Sequence, residues 1–199
     1  QQVTVALAGD GGDENFAGYS KYATDLTENQ LRRWLPGNMR RACFPSLARL
    51  AGSLGNPLGA RAQSLLGSLS LEADEAFFLT NSFFRRNAGS DDHLSRVLYT
   101  DIKTYLPGDI LVKVDRMSMA NSLETRAPLL DYRVVEYAAS IPSRLKLHGR
   151  DKKHILKRAF GQLLPEDILY RKKMGFSVPL AEWLRKEIRP LAEEIFNCD

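Results

Sequence analysis

The sequence has few cysteines and no long apolar segment. Its two cysteines, Cys43 and Cys198, allow at most one disulfide, and neither lies in a CxxC pair or beside a histidine at metal-ligand spacing. No run reaches the roughly 18 uninterrupted apolar residues of a membrane span, and Gln1 to Val3 is not the start of a signal peptide. With 44% hydrophobic and 26% charged residues, the composition also excludes a disordered chain. We predict a cytoplasmic globular protein with reduced thiols and no membrane partner.

Histidines are scarce, and the positive charge is concentrated in one segment. His93, His148 and His154 have no cysteine or carboxylate neighbours at metal-ligand spacing, and no serine or cysteine motif indicates a catalytic triad. The net charge is +4, but residues 144–174 hold ten basic and three acidic side chains. Such a segment attracts anions, and phosphate-rich small molecules fit its field as well as nucleic acid does.

The hydrophobic pattern predicts one strand followed mostly by helices. Val3 to Ala8 is short, apolar and rich in β-branched residues, as in a buried strand. Gly52 to Gly67 is rich in glycine and small residues and is predicted to be a long loop or insertion. Helices are predicted over 71–86, 99–106, 110–121, 132–140 and 153–163, with a short helix from 165 and a last helix after 178. Asp131 is the predicted N-cap of the helix over 132–140, and Pro107-Gly108 is a predicted break after 106. Pro190 is expected to kink or end the last helix. No repeat or change of composition divides the chain, so we predict one domain over residues 1–199.

The predicted strand has no evident partner in the sequence. Its backbone N–H and C=O groups must be paired if they are buried. We therefore expect either pairing with another chain or a sequence that begins inside a larger α/β sheet, and we favour the second. On this interpretation Val3 to Ala8 is unpaired, covered by a rearranged segment, or paired with a second copy.

A glycine-rich acidic turn directly follows the strand. Gly9, Gly11 and Gly12 allow a close backbone approach to phosphate, but the Lys-Ser/Thr pair of a P-loop is missing. Asp10 and Asp13 are carboxylates, which reach phosphate through a divalent cation such as Mg²⁺. The alternative is a tight turn in which Asp13 caps the next helix, and the spacing alone does not choose between the two.

Four segments occur in an order that closely resembles the synthetase domain of glutamine-dependent asparagine synthetases. They are AGDGGDENFAGY at residues 8–19, LVKVDRMSMA at 111–120, LETRAPLLD at 123–131 and RKKMGF at 171–176. The resemblance covers the C-terminal part of that domain, from about residue 3 to residue 185. It implies a mostly α chain with one N-terminal strand, forming the C-terminal part of an ATP-pyrophosphatase-type (adenine nucleotide α-hydrolase-like) α/β domain.

The resemblance also implies a reaction and its residues. ATP adenylates the side-chain carboxylate of aspartate, and ammonia from a glutaminase domain then attacks the acyl-adenylate. Asp13 matches the acid that binds Mg²⁺ and pyrophosphate, and Asp10 matches the acid position of the same turn. Lys173 matches the lysine that steadies the pyrophosphate. Gly9, Gly11 and Gly12 form the turn. Independently of the resemblance, charges this dense in an apolar stretch are costly to bury unpaired, so we predict that Asp115, Arg116, Glu124 and Arg126 mainly form a structural network at the wall of the substrate cleft. Lys113 and Asp115 are also candidates for direct contact with substrate or nucleotide.

Two family features are absent from the 199 residues. The Ser-Gly-Gly-x-Asp-Ser phosphate loop and the glutaminase domain with its terminal cysteine lie upstream in the family, so we expect the chain to be a fragment with little activity alone. Relatives with these motifs also amidate or cyclise other carboxylates, so the acceptor stays open. The competing hypotheses are a basic nucleic-acid-binding module and a scaffold that has lost catalysis. We favour the ligase, which predicts no nucleic-acid partner and allows a homo-oligomer.

Overall fold

The computed structural model describes residues 3–70, 78–86, 92–171 and 179–196. The chain forms two compact units, residues 1–160 and residues 161–199. Both are mostly helical in their described parts. No helix among the described residues is long and apolar enough to cross a membrane.

The described part of unit 1 contains four short strands and ten α-helices, labelled here in chain order, with one π-helix and one 3₁₀ turn. The elements are β1 (Val5–Leu7), α1 (Gly12–Phe16), α2 (Ser20–Trp34), α3 (Gly37–Gly52), α4 (Pro57–Ser70), α5 (Phe78–Arg86), α6 (His93–Lys103), a π-helix (Leu106–Ile110), α7 (Leu111–Met119), β2 (Glu124–Arg126), a 3₁₀ turn (Pro128–Leu130), α8 (Tyr132–Ser140), α9 (Ser143–Lys146), β3 (Leu147–His148), β4 (Asp151–Lys152) and α10 (His154–Phe160). The described part of unit 2 contains α11 (Glu166–Leu169), α12 (Leu180–Arg185) and α13 (Arg189–Phe196).

The N-terminal strand has a partner within the chain, so the expectation that Val3 to Ala8 has none is wrong. β1 pairs in parallel with β2, with Val5 opposite Glu124 and Leu7 opposite Arg126. Glu124 and Arg126 are polar, and the segment is three residues long, so no period of apolar residues marks it as a strand. The pairing forms a two-stranded sheet, and β1 has no second strand beside it among the described residues.

Helix α1 lies between two clusters of buried side chains. Its last residue, Phe16, packs with Ala138 and Ile141, while Ala17 just beyond it packs with Tyr22 and the rest of a second cluster. The second cluster also contains Leu94, Leu98 and Leu147. Both clusters bury apolar surface from distant parts of the sequence, which stabilises the position of the glycine turn.

Several predicted helices are confirmed, although their ends differ. Tyr132–Ser140 forms α8 as predicted, with the Asp131 side chain accepting a hydrogen bond from the Arg133 N–H, and it stops at Ile141-Pro142. The segment predicted from 110 is α7, and that from 153 is α10. The segment 71–86 is a helix over Phe78–Arg86, and residues 71–77 lie outside the described residues. The prediction that Pro190 kinks or ends the last helix is wrong: α12 already ends at Arg185, and Pro190 is the second residue of α13, where its missing N–H leaves no helical hydrogen bond unmade.

Two predictions about breaks in the helices are wrong. The pair Pro107-Gly108 does not interrupt the helical structure, because it lies inside the π-helix that leads directly into α7. Gly52 to Gly67 is not a long loop: α3 ends at Gly52 and α4 begins at Pro57. The two helices pack on each other, and a side chain on Gly59 would collide with the backbone oxygen of Ala51. The glycine at 59 serves this close approach of two helices.

Candidate functional site

The parallel pairing of β1 with β2 brings two turns of the chain to one edge of the sheet. Ala8, directly after β1, donates its N–H to the Arg126 carbonyl at 2.8 Å, and Glu124 donates to the Thr4 carbonyl at 2.8 Å. The glycine turn therefore follows β1 at the same edge where Ala127 follows β2. Carboxyl ends of parallel strands are where α/β proteins gather ligands.

A cavity of about 410 Å³ opens at this edge. It is called the strand-end cavity here and is lined by Asp10, Leu111, Val112, Val114, Asp115, Thr125 and Ala127. Asp10 is half-buried, and Asp115 is exposed on α7, which packs against β2. The structure thus brings two of the predicted site residues, Asp10 and Asp115, to one cavity.

The shape of the glycine turn depends on Gly11. Its φ of 81° lies in the left-handed region, and a Cβ there would overlap the Leu130 side chain. Gly12 also lies close to a side chain, because a Cβ there would lie 3.0 Å from Leu129 Cδ1. Gly9 has open space around it, with nothing within 4 Å of a built Cβ. Of the three predicted glycines, Gly11 and Gly12 therefore pack under the 3₁₀ turn, and Gly9 leaves room beside Asp10.

Asp13 lies in the first turn of α1 and does not cap it. The N-cap position belongs to Gly11, which has no side chain to accept a hydrogen bond. Asp13 Oδ1 instead lies 3.0 Å from Nζ of Lys153, and both side chains are partly buried. Gly18 makes room for this pair, because a Cβ at Gly18 would overlap Asp13 Oδ1 and Lys153 Cε. The alternative of a capping aspartate is therefore wrong, and an ammonium group lies beside the acidic turn.

The other predicted residues are placed differently. Lys113 is not among the residues that line the strand-end cavity. Its ammonium group donates to Asp109, one turn earlier in the π-helix, at 2.8 Å. This hydrogen bond raises the pKa of Lys113. Glu124 and Arg126 of the predicted network pair with each other at 2.7 Å and are largely exposed. Lys173 lies outside the described residues.

Asn15 and Lys153 are residues that the sequence reasoning missed. Asn15 is 2% exposed, and its Nδ2 donates to the Leu129 carbonyl at 2.9 Å. That hydrogen bond joins α1 to the 3₁₀ turn after β2. The basic segment 144–174 was the only signal for Lys153, and it did not distinguish this lysine from its neighbours.

The carboxylates of the strand-end cavity suit a divalent cation that also binds phosphate. Mg²⁺ is typically held by one or two carboxylates, with phosphate oxygens and water at its other positions. Asp10 and Asp115 supply that kind of oxygen donor. Within the described residues, no group of three or more His, Cys, Asp or Glu side chains forms an all-protein metal site.

Comparisons with known proteins identify the family. The family model described as asparagine synthase matches residues 1–199. The chain is 32% identical to asparagine synthetase [glutamine-hydrolyzing] 1 of Bacillus subtilis over 99% of the chain and 34% of that protein. It is 34% identical to a putative asparagine synthetase [glutamine-hydrolyzing] of Mycobacterium tuberculosis over 93% of the chain and 31% of that protein.

A more distant relative carries a different name. The amidase chyE of Penicillium rubens is 24% identical over 96% of the chain and 35% of that protein. The chain spans about a third of the length of these relatives. No solved structure matches. The match of the family model to the whole chain shows that the chain belongs to the asparagine synthase family.

Proposed function

We propose that this chain is part of an ATP-dependent, glutamine-hydrolysing asparagine synthetase, a carbon–nitrogen ligase that adenylates aspartate. The observation that carries the proposal is the strand-end cavity, which both Asp10 and Asp115 line beside the carboxyl ends of two parallel strands in a chain of the asparagine synthase family. The same observation supports a fold in which the chain is the C-terminal part of an ATP-pyrophosphatase-type α/β domain, because such folds place ligands at this edge.

The proposed reaction has two steps. An oxygen of the aspartate side-chain carboxylate attacks the α-phosphorus of ATP, and the bond to the pyrophosphate oxygen breaks, giving aspartyl-AMP and pyrophosphate. The nitrogen of ammonia then attacks the acyl carbon, the bond to AMP breaks, and a proton leaves the nitrogen. A glutaminase domain is the proposed source of the ammonia, and the cytoplasm the proposed location.

The proposed roles rest on position for the residues of the glycine turn and of the strand-end cavity, and on the sequence resemblance for Lys173. Asp10 and Asp115 would hold Mg²⁺, which supplies Lewis-acid stabilisation of phosphate charge when bound. The space beside Gly9 leaves a phosphate group access to the backbone of the turn. Asp13 stays a proposed ligand of the same metal and pyrophosphate, now with Lys153 beside it. Lys173 is proposed to stabilise the leaving pyrophosphate, since a preorganised cation lowers the barrier to charge separation.

The proposal is tested by aspartate-dependent exchange of labelled pyrophosphate into ATP, in the full-length protein that contains this chain. Asp10→Asn and Asp115→Asn keep the side-chain shape and remove the charge. We expect each to lower the exchange rate by about 100-fold or more. Glu28→Gln, which removes a partly buried carboxylate of α2 that lies 3.9 Å from Arg32, is the control and should keep the wild-type rate. Wild-type rates in both aspartate variants would contradict the assignment of the cavity.

A second candidate is an amidotransferase that acts on a different carboxylate, because one relative of this chain carries a name other than asparagine synthetase. Both candidates need adenylation, so the exchange assay separates them by the acid that is supplied. Exchange with aspartate supports asparagine synthesis, whereas exchange only with another carboxylic acid supports the second candidate. A homo-oligomer is compatible with either.

The contacts of the basic segment argue against a nucleic-acid interface as the main function. Lys146 is buried, Lys152 donates to Ser20 at 2.9 Å, and Lys153 pairs with Asp13. Lys157 contacts Asp151. Lys146 is buried and the other three lysines are partly buried with partners in the fold, so fewer cations of the segment are available to a phosphate backbone.

A further inference from the structure

A second cavity lies in unit 1, and none of its lining residues lines the strand-end cavity. It has a volume of about 370 Å³ and lies among α1, α6, α8 and α9. Its aliphatic lining residues are Leu98, Ile102, Val135 and Ala139, and Lys146 of α9 lines it as well. It is called the lysine cavity here.

Lys146 is buried at this cavity without a direct partner. The residue is 3% exposed, and it forms no hydrogen bond or ion pair with any residue in the described parts of the chain. The charge that acts on it is that of Asp92, whose carboxylate accepts hydrogen bonds from the Ser95 and Ser143 hydroxyls at 2.5 and 2.9 Å. A buried ammonium group in this position is unfavourable, because no direct partner replaces its lost hydration.

Burial favours the uncharged form of this amine. It lowers the pKa of the Lys146 ammonium group to about 8, although the charge of Asp92 offsets part of the effect. At pH 7 about a tenth of such groups carry a free lone pair, against fewer than about one in a thousand for an ordinary lysine. An uncharged amine that is shielded from water is the form in which lysine acts as a nucleophile toward a carbonyl carbon.

The other charged groups of the cavity do not require a charged ligand. Glu14 is 1% exposed, but its Oε1 already accepts a hydrogen bond from the Tyr19 hydroxyl at 2.6 Å. Lys103 and Glu136 are exposed, so water solvates their charges. Lys146 is therefore the reactive group of the lining, and an uncharged ligand reaches it without the burial of a further charge.

We propose that the lysine cavity binds a small aliphatic aldehyde, which forms an imine with Nζ of Lys146. The lone pair of Nζ attacks the carbonyl carbon, the C=O π bond breaks, and a proton moves from nitrogen to oxygen to give a carbinolamine. The C–O bond of this adduct then breaks, and the oxygen leaves as water with the second proton of the amine.

Two features of the cavity favour this product. An imine nitrogen is less basic than an amine, so the reaction removes the unfavourable buried charge. The aliphatic chain of the aldehyde would lie along Leu98, Ile102 and Val135, in a cavity whose volume is within the range of small-molecule sites. The inference goes beyond the proposed ligase activity and does not rest on it.

The test is reductive labelling of the full-length protein with butanal and cyanoborohydride at pH 7. Cyanoborohydride transfers hydride to an imine and leaves a stable secondary amine, which mass spectrometry of the peptides locates and quantifies over time. Lys113 is the internal comparison, because its side chain is 63% exposed and its hydrogen bond to Asp109 raises its pKa. Accessibility alone predicts that Lys113 reacts first. We expect Lys146 to react at least about tenfold faster, because far more of it is uncharged.

Two pairs of variants locate the reaction in the cavity. Ala139→Phe places a ring at an exposed position of the lining and should slow labelling of Lys146 by about tenfold or more. Ser140→Phe adds the same ring at the next exposed position, outside the lining, and should not. Asp92→Asn removes the charge that favours the ammonium form and should speed labelling by at least about threefold. Glu136→Gln removes a lining carboxylate that does not act on Lys146 and should leave the rate unchanged.

Glycolaldehyde tests the aliphatic class of the ligand. It carries a hydroxyl group in place of the alkyl chain, so the ratio of Lys146 to Lys113 labelling should be at least about fivefold lower than with butanal. Equal ratios would contradict an aliphatic ligand.

Three further results would overturn the inference: labelling of Lys113 ahead of Lys146, equal labelling of Lys146 in Ala139→Phe and Ser140→Phe, or no faster labelling in Asp92→Asn. Asp10→Asn separates this inference from the proposed function, because it should lower pyrophosphate exchange and leave the labelling of Lys146 intact.

Discussion

At the residue scale, two independent features of the structure require glycine at position 11. Its backbone is left-handed, and Leu130 occupies the space where a side chain would begin. The sequence motif predicted a turn here but gave no reason to rank one glycine above another. That ranking comes from Leu130, which is far away in the chain and approaches only because β2 pairs with β1.

Gly11→Ala should therefore destabilise the protein. We expect the free energy of unfolding to fall by about 2–4 kcal/mol, from the left-handed backbone and the overlap with Leu130 together. The matched control is Gly9→Ala, since Gly9 has open space around it and the change should stay within about 0.5 kcal/mol. Urea unfolding of both variants measures the difference, and equal midpoints would contradict this account of the turn.

Asp131 should make stability depend on acid pH. Two hydrogen bonds from the Arg133 side chain, at 2.9 and 2.8 Å, and one from its backbone N–H lower the pKa of Asp131 to about 2. A folded pKa below the unfolded value means that the stabilisation is present above about pH 4 and is lost as the pH falls towards 2.

The variant Asp131→Asn keeps an N-cap acceptor but does not titrate. Its melting temperature should fall less steeply than that of the wild type between pH 4 and pH 2. Glu136→Gln removes a carboxylate of the same helix away from its N-cap and should retain the wild-type slope. Thermal melts of the three proteins between pH 4 and pH 2 measure this dependence. The role of Asp131 is contradicted if the melting temperatures of Asp131→Asn and the wild type fall with the same slope.

At the element scale, local signals predicted α8 well because its start and stop are both encoded locally. Asp131 caps the first turn, and Ile141-Pro142 ends the helix. The strand β2 was missed because it exists through its hydrogen bonds to β1, and the sequence of Glu124–Arg126 has no strand pattern of its own. The helices within Gly52 to Gly67 are not predicted from the sequence because glycine usually indicates a loop, whereas Gly59 permits two helices to pack closely.

A local signal for α4 is nevertheless present at Asn56. The Gly59 N–H donates to Asn56 Oδ1 at 2.7 Å, and Pro57 occupies the first helical position. Asn56→Ala should lower the free energy of unfolding by about 1 kcal/mol. Asn56→Asp retains an acceptor and should restore most of that loss. Chemical unfolding of the three proteins tests the cap, which is refuted if the alanine and aspartate variants lose the same amount.

At the scale of the whole molecule, the sequence motifs identified Asp10 and Asp115 separately. Nothing in their spacing shows that they line one cavity. That follows from the parallel pairing of β1 with β2 and from the packing of α7 against β2. Lys153 was hidden among ten basic residues for the same reason, because its partner Asp13 is distant in the sequence. Motifs therefore predict candidate site residues, and the fold determines which of these residues line the same cavity or form a pair.

Lys173 gives the sharpest comparison between the ligase and nucleic-acid hypotheses, because Lys172 beside it carries the same charge. If one preorganised ammonium stabilises the leaving pyrophosphate, Lys173→Met should lower aspartate-dependent exchange by about 100-fold or more, and Lys172→Met should not. If the basic segment binds nucleic acid, each variant should weaken that binding by a similar amount. Each should also reduce the slope of log affinity against log salt concentration by about one. Measuring exchange and the salt dependence of DNA binding for both variants separates the two. Unequal exchange with no salt-dependent DNA binding supports the ligase, whereas equal exchange would remove Lys173 from the proposed mechanism.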